Sequence, residues 1–232
     1  MKKYIFPFIL LTVAVLFTAC AEKDSEPWIA YYPAITLEGD TQLDWEAGVP
    51  FVDPGYIATL GGQDLTKDVK VETDLNYDNP APGMYTIIYS VSSPDGYMAA
   101  AYRAVYVWDK SDAAAGYYTV SEESYRDYNG ITYFGGYPEV IVGLGGGKYY
   151  VTDFFGGWYE HRAGYGDYYA MTGHISISEN GTVTLLDSYV LGWGDSLDWL
   201  QNGKFDAATG TISWDVRYAG ALIWHVEMTK KQ

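Results

Sequence analysis

MYTIIYSV, residues 84–91, sets Tyr85, Ile87, Tyr89 and Val91 on one side and Met84, Thr86, Ile88 and Ser90 on the other. A period of two is the spacing of a strand, because successive side chains leave opposite faces. Pro80-Ala81-Pro82-Gly83 precedes the run and Ser93-Pro94-Asp95-Gly96 follows it, and both are turn signals. A second run, 99–108, sets Tyr102, Ala104, Tyr106 and Trp108 against Arg103, Val105 and Val107. The two runs make a hairpin. Shorter strands are expected at 34–37, 56–60 and 69–73. Strands spaced about 10 residues apart, with turns between, predict a β-sandwich over 31–109.

The alternation continues beyond a small, polar stretch at 110–116, which reads as a linker. Strands at 140–144 and 149–153 flank a glycine-rich turn. Strands at 174–178 and 182–186 flank Glu179-Asn180-Gly181, a hairpin signal because Asn and Gly both accept positive φ. Phe205 and 211–214 flank a turn at 206–210, and Tyr218-Ala219-Gly220 separates that strand from 221–229. Sequential hairpins predict an antiparallel meander over 117–232, closed as a small barrel or folded as a sandwich. The fold class is all-β. The 24 Tyr and 8 Trp fit that class, since strands favour aromatic side chains.

The formal net charge is -16, from 14 basic and 30 acidic residues. Nucleic-acid binding rests on Lys and Arg neutralising phosphate, so this balance excludes it. Neutral ligands, cations or proteins are the expected partners. Cys20 is the only cysteine, so no internal disulfide forms and the cores must carry stability.

At the N-terminus, Lys2 and Lys3 precede an apolar run from Tyr4 to Phe17. The run is shorter than the roughly 20 apolar residues a spanning helix needs, and reads as a signal peptide over 1–19. It ends in Phe17-Thr18-Ala19-Cys20, which resembles the lipobox of bacterial lipoproteins, with Phe17 where leucine is usual. The resemblance implies lipid attachment at Cys20 and a membrane anchor through that lipid. Residues 20–30 then form a lipidated tether. Its acidic start, Ala21-Glu22-Lys23-Asp24-Ser25-Glu26, is similar to the export tag of surface lipoproteins of gut Gram-negative bacteria. That implies the outer membrane, facing the cell exterior. A plain solvated spacer accounts for the same composition.

Two further resemblances cover the folded parts. Phe51-Val52-Asp53-Pro54-Gly55-Tyr56, Asp64-Leu65-Thr66, 83–89 and 103–107 follow one order. They resemble a bacterial Ig-like family also found in a pesticidal crystal protein, read as a DPG turn, a GxYxVxY strand and a closing RxVxV strand. Gly96-Tyr97 stands where that family has Gly-Asn. The resemblance implies a spacer or adhesion module without catalytic residues. Tyr85 is placed to act as a tyrosine corner. Asp53, Asp64 and Asp95 read as turn residues, since they lack the alternating carboxylates of a calcium loop. Residues 149–160 (YYVTDFFGGWYE), 168–186 (YYAMTGHISISENGTVTLL) and 204–218 (KFDAATGTISWDVRY) resemble a β domain of unknown function. It follows Ig-like modules in lipoproteins of polysaccharide-utilisation systems. That implies a glycan-uptake setting and supplies no site.

The residues themselves supply a candidate site. Three stretches, at 154–159, 165–169 and 191–195, mix Gly, aromatics and acids outside clean alternation. The apolar face of a sugar ring stacks on Trp or Tyr, and its hydroxyls pair with carboxylates. Phe154, Trp158, Tyr165, Tyr168, Trp193 and Trp199 are the expected stacking residues, and Asp153, Asp167, Asp195 and Asp198 the expected hydroxyl partners. The competing explanation is that the aromatics fill a small β core. Gly-flanked loops, however, usually sit at the surface.

The function read from these residues is non-catalytic glycan binding by a surface lipoprotein. A structural or adhesion role with outer-membrane protein partners is the alternative, and a glycosidase-like enzyme a third. A glycosidase needs two facing carboxylates, for which Asp153, Glu160, Asp167, Asp195 and Asp198 are available. No catalytic residue, metal site or cofactor is predicted. Residues 143–147 lack the spacing of a phosphate loop, and His161 and His174 fit no zinc pattern.

Overall fold

The computed structural model describes residues 30–231. The signal peptide, Cys20 and nearly all of the tether lie outside the described residues. The described chain is almost entirely β.

The first domain holds seven strands: β1 (Pro33–Leu37), β2 (Gln42–Glu46), β3 (Tyr56–Leu60), β4 (Gln63–Asp64), β5 (Lys70–Glu72), β6 (Gly83–Ser92) and β7 (Met98–Trp108). They form two sheets, ordered β1-β3-β4 and β2-β7-β6-β5, the two layers of an Ig-like sandwich. β6 and β7 pair antiparallel along their full length, from Gly83 opposite Val107 to Ser92 opposite Met98. The expected alternation holds: Ile87, Tyr89, Val105 and Val107 are fully buried beside Phe51 and Leu75. β2 was not expected. It runs parallel to β7, with only Leu43 and Trp45 turned toward the core.

The three motifs of the Ig-like resemblance meet in space. Arg103, fully buried on β7, pairs with the Asp53 carboxylate and also donates to the carbonyls of Glu38 and Gly55. The Tyr89 hydroxyl donates to the other Asp53 oxygen. Asp53 also accepts the Gly55 N–H at 2.9 Å. Asp53 is therefore an ion-pair hub rather than a solvated turn residue. Asp64 is a turn residue, accepting the Thr66 N–H at 2.8 Å. The Tyr85 hydroxyl donates to the Ala81 carbonyl at 2.9 Å, the expected tyrosine corner.

Residues 109–115 are a packed turn. Ala114 and Ala115 are buried, and the Asp112 carboxylate accepts both their N–H groups. Trp108, at the end of β7, joins the core of the second domain and meets Tyr117 edge-on at 6.0 Å.

The second domain holds β8 (Gly116–Val120), β9 (Ser124–Asp127), β10 (Ile131–Phe134), β11 (Pro138–Gly145), β12 (Lys148–Val151), β13 (Met171–Ile177), β14 (Val183–Val190), β15 (Trp199–Asp206), β16 (Thr211–Tyr218) and β17 (Leu222–Lys230). One curled antiparallel sheet runs β15-β16-β17-β8-β11-β12-β13-β14, with β9 and β10 branching from β17. Its end strands touch at one bridge, Thr182 to Lys204. The sheet is thus an open, curled barrel, and Trp214, Trp224, Met171, Ile175, Ile212 and Val226 fill its interior. β16 alternates strictly, with Ile212, Trp214, Val216 and Tyr218 inward. The Asn180-Gly181 hairpin forms by a different turn from the one its sequence predicts. Gly181 takes φ 81° and Asn180 does not go positive. Ser178 N–H bonds to the Thr182 carbonyl and Gly181 N–H to the Ser178 carbonyl. This is a type I turn closed by a glycine bulge.

Candidate functional site

Two connections build one end of the second domain: 152–170 after β12, and 191–198 between β14 and β15. Asp153 folds the first. Its carboxylate is fully buried and accepts N–H groups from Phe155 at 2.9 Å, Gly157 at 3.0 Å and Met171 at 2.9 Å. Burial pushes its pKa up to about 7, against the pull of those three bonds. Phe154 turns inward against Trp214, whose indole N–H donates to the Phe154 carbonyl at 3.0 Å. Trp158, at the start of a π-helical turn (Trp158–Arg162), packs edge-on to Phe134 at 5.1 Å. The guanidiniums of Arg126 and Arg162 lie 4.4 and 4.2 Å from its ring centroid.

Asp153, Phe154 and Trp158 are therefore core residues, which corrects their assignment to a sugar-binding surface. The flanking glycines explain the difference. A Cβ at Gly156 would meet Val226, Phe134 and Val120, and one at Gly157 (φ 76°) would lie 2.8 Å from Tyr137. These glycines let the backbone approach the core closely. They do not mark a surface loop.

Beyond Trp158 the chain reaches the surface. Tyr165, Tyr168 and Trp193 are 54%, 53% and 40% exposed. Trp193 is the hub. It stacks near-parallel on Tyr218, centroids 5.9 Å apart and planes 26° from parallel. It meets Tyr159 edge-on at 4.7 Å and Tyr169 at 4.9 Å. Tyr165 stacks on Tyr159 at 5.8 Å and meets Tyr169 at 5.4 Å. Tyr168 joins through Tyr169. Phe155 and Trp224 support the network from the core. The result is a ring platform with a buried base.

Asp167 and Asp195 are exposed around it. Asp195 bonds the Tyr218 hydroxyl, whose pKa rises through burial and then through that carboxylate. Asp198 is committed to the end of β16 and the turn after it, pairing with Arg217 at 3.2 Å and accepting the Gly220 N–H at 2.8 Å. Trp199, half-buried on β15, lies under the Arg217 guanidinium, 5.5 Å from its ring centroid. Among the described residues no ring contact links Trp199 to the platform. Sequence reasoning missed Tyr159, Tyr169 and Tyr218 as platform members. The first two lie inside the quoted aromatic stretches. Tyr218 had only its place at the end of an alternating strand.

His174 pairs with Asp187 and His225 with Asp215, each at 2.7 Å. Among the described residues no cluster of three His, Cys, Asp or Glu side chains is placed to hold a metal ion.

Comparison with known proteins places this architecture. A bacterial surface protein Ig-like domain model matches residues 35–107, and a C-terminal domain model matches 107–230. No curated protein matches the chain. The crystal structure of the lipoprotein BT2262 from Bacteroides thetaiotaomicron is 40% identical, with a TM-score of 0.74, over 86% of this chain and 100% of that one. The M60 catalytic domain with CBM51-1 and CBM51-2 domains of Clostridium perfringens ZmpB is 21% identical over 52% of this chain and 15% of that one. Its TM-score of 0.29 carries no argument. The Ig-like domain, the β domain that follows it and the extent of the match show that the chain belongs to the family of this Bacteroides lipoprotein.

Proposed function

We propose that this surface lipoprotein captures glycan without cleaving it, on the ring platform around Trp193. The carrying observation is the exposure of Tyr165, Tyr168 and Trp193 on a base of packed rings. Such rings keep their faces available to sugar at little conformational cost, because packing already fixes their rotamers. Asp167 and Asp195 supply acceptors for hydroxyls. Attachment to the outer membrane through lipid on Cys20, facing outward in a polysaccharide-utilisation setting, completes the reading.

Affinity electrophoresis against a polysaccharide panel tests it, with Trp193→Ala and Tyr165→Ala alongside. Retardation by one glycan, lost in either variant and leaving that glycan at full length, is the expected result. No retardation by any glycan in the panel removes the reading for those glycans.

A second reading, protein adhesion, rests on β10. It ends its branch of the sheet, and Ile131 and Tyr133 stand exposed on it. An uncovered strand edge with apolar side chains is a pairing surface. Ile131→Lys with Tyr133→Lys would abolish cell-surface cross-links under this reading and leave glycan retardation untouched.

A further inference from the structure

A half-open cavity of about 280 Å³ is lined from both domains. Gln42 and Tyr106 line it from the Ig-like domain, and Tyr117, Glu139, Thr152, Glu160 and His161 from the β domain. Carboxyl, hydroxyl and amide groups and one imidazole supply its polar lining, and no Lys or Arg takes part.

Glu139 is the decisive residue. It is 3% exposed. Its Oε2 accepts the Thr152 hydroxyl at 2.5 Å, the Asp153 backbone N–H also acts on the carboxyl, and Oε1 has no hydrogen-bond partner among the described residues. Buried carboxyl oxygens are nearly always paired, and this one keeps a lone pair open toward the cavity. Burial holds Glu139 well above the ordinary carboxylate range, and the charges of Asp153 and Glu160 add to the effect. Glu160 is itself raised by burial, with His161, 3.6 Å away, opposing and Asp167 adding. Across the cavity, burial pushes the Tyr106 hydroxyl up to about 12, and Tyr150, Tyr117, Glu160 and Glu139 contribute. Asp153, Glu160 and the neighbouring tyrosine hydroxyls act on Glu139 and Tyr106, and His161 beside Glu160 is the one basic side chain of the lining.

We propose that this cavity binds a small organic cation with N–H donors, a protonated amine on a sugar-sized body, with Glu139 Oε1 as its main acceptor. An ammonium group has donors only, which complements the carboxyl, hydroxyl and amide oxygens of the lining. It replaces the proton on Glu139 and turns a neutral contact into a charge-assisted one. The tyrosine rings add a cation–π surface. An anion is repelled, and a neutral polyol brings no charge to compensate the carboxyls. Because Gln42 and Tyr106 lie on one domain and Glu139 on the other, the ligand also ties the domains together.

Isothermal titration calorimetry at pH 6 tests this, with glucosamine as the cation and glucose as its neutral counterpart. Saturable binding of glucosamine alone is expected, with about one proton released per site, read from titrations in two buffers. Glu139→Gln should still unfold cooperatively and bind at least about tenfold more weakly. Trp193→Ala should bind as the parent does, which separates this cavity from the platform. If Glu139→Gln does not fold, Gln42→Ala and Tyr106→Phe probe the opposite wall, and each should weaken binding. Absence of saturable heat, equal binding of glucose, or undiminished binding by these wall variants would overturn the proposal.

Discussion

Arg103 reaches Asp53 across 50 positions of sequence and ties the DPG turn to the last strand of the Ig-like sandwich. Two backbone carbonyls and the Tyr89 hydroxyl share the two terminal nitrogens with Asp53, and Nε is left without a hydrogen-bond partner among the described residues. Removing one partner of such a pair leaves the other uncompensated. Arg103→Met should therefore lower unfolding free energy by about 3–5 kcal/mol in urea titrations. Arg103→Lys should recover little of it, because one ammonium cannot reproduce the guanidinium fork.

Two tyrosine hydroxyls hold the starts of two domain segments. Tyr85 donates to Ala81, and Tyr118 repeats the device at 2.7 Å to Ala114. The Tyr118 bond is buried and the Tyr85 bond is exposed. Tyr118→Phe leaves a buried carbonyl bare and should cost about 1–3 kcal/mol, and Tyr85→Phe about 1 kcal/mol or less. Paired denaturation curves would show the order.

The platform and the core should separate cleanly on mutation. Trp214→Ala empties a fully buried site and should cost about 3–5 kcal/mol. Trp193→Ala should cost about 1 kcal/mol, since that ring is partly solvated and its support remains. Glycan retardation should follow Trp193 and not overall stability.

Stability should fall as pH rises through the mildly acidic range. Asp153 and Glu139 are both raised, chiefly by burial. Between the unfolded pKa of an acid and its raised folded value, the native state holds more protons than the unfolded chain. Each group then favours folding at low pH, and the advantage declines by up to about 1.4 kcal/mol per pH unit. For Asp153 this window runs from about 4 to about 7. Melting curves at pH 5 and pH 7.5 should show the higher Tm at pH 5. Glu139→Gln should shrink the difference.

Gly181→Ala tests the hairpin between β13 and β14. The residue has φ 81°, and a Cβ there would lie 2.2 Å from the Phe205 carbonyl oxygen. The left-handed backbone alone costs an alanine about 1–2 kcal/mol. Because this turn lies where β14 and β15 touch, the melting temperature should drop by more than that backbone cost implies.

The strands were legible because each hairpin carries its own period and its own turn. β6, β7 and β16 alternate over long enough runs to decide the matter. β2 was not legible. Its five residues give two inward side chains, and its parallel partner β7 is distant in sequence. The candidate site was half legible. Tyr165, Tyr168, Trp193, Asp167 and Asp195 fall at one place. Phe154, Trp158 and Asp153 have the same local composition and go to the core. Composition around a glycine does not say whether the missing Cβ makes room for solvent or for packing. That depends on Val226, Phe134 and Tyr137, which come from other parts of the chain.

The last strand of the second domain is stitched to its first: Met228 lies opposite Val120, and the Lys231 N–H bonds to the Tyr117 carbonyl. β8 therefore waits on the ribosome for a partner made about 100 residues later, and contacts of such long range form slowly. Until β17 emerges, Trp214 has no covering strand and β8 has a bare edge. Half-made chains are thus the aggregation-prone species of this protein, and they are also the ones an export or quality-control machine can still handle as unfolded polypeptide.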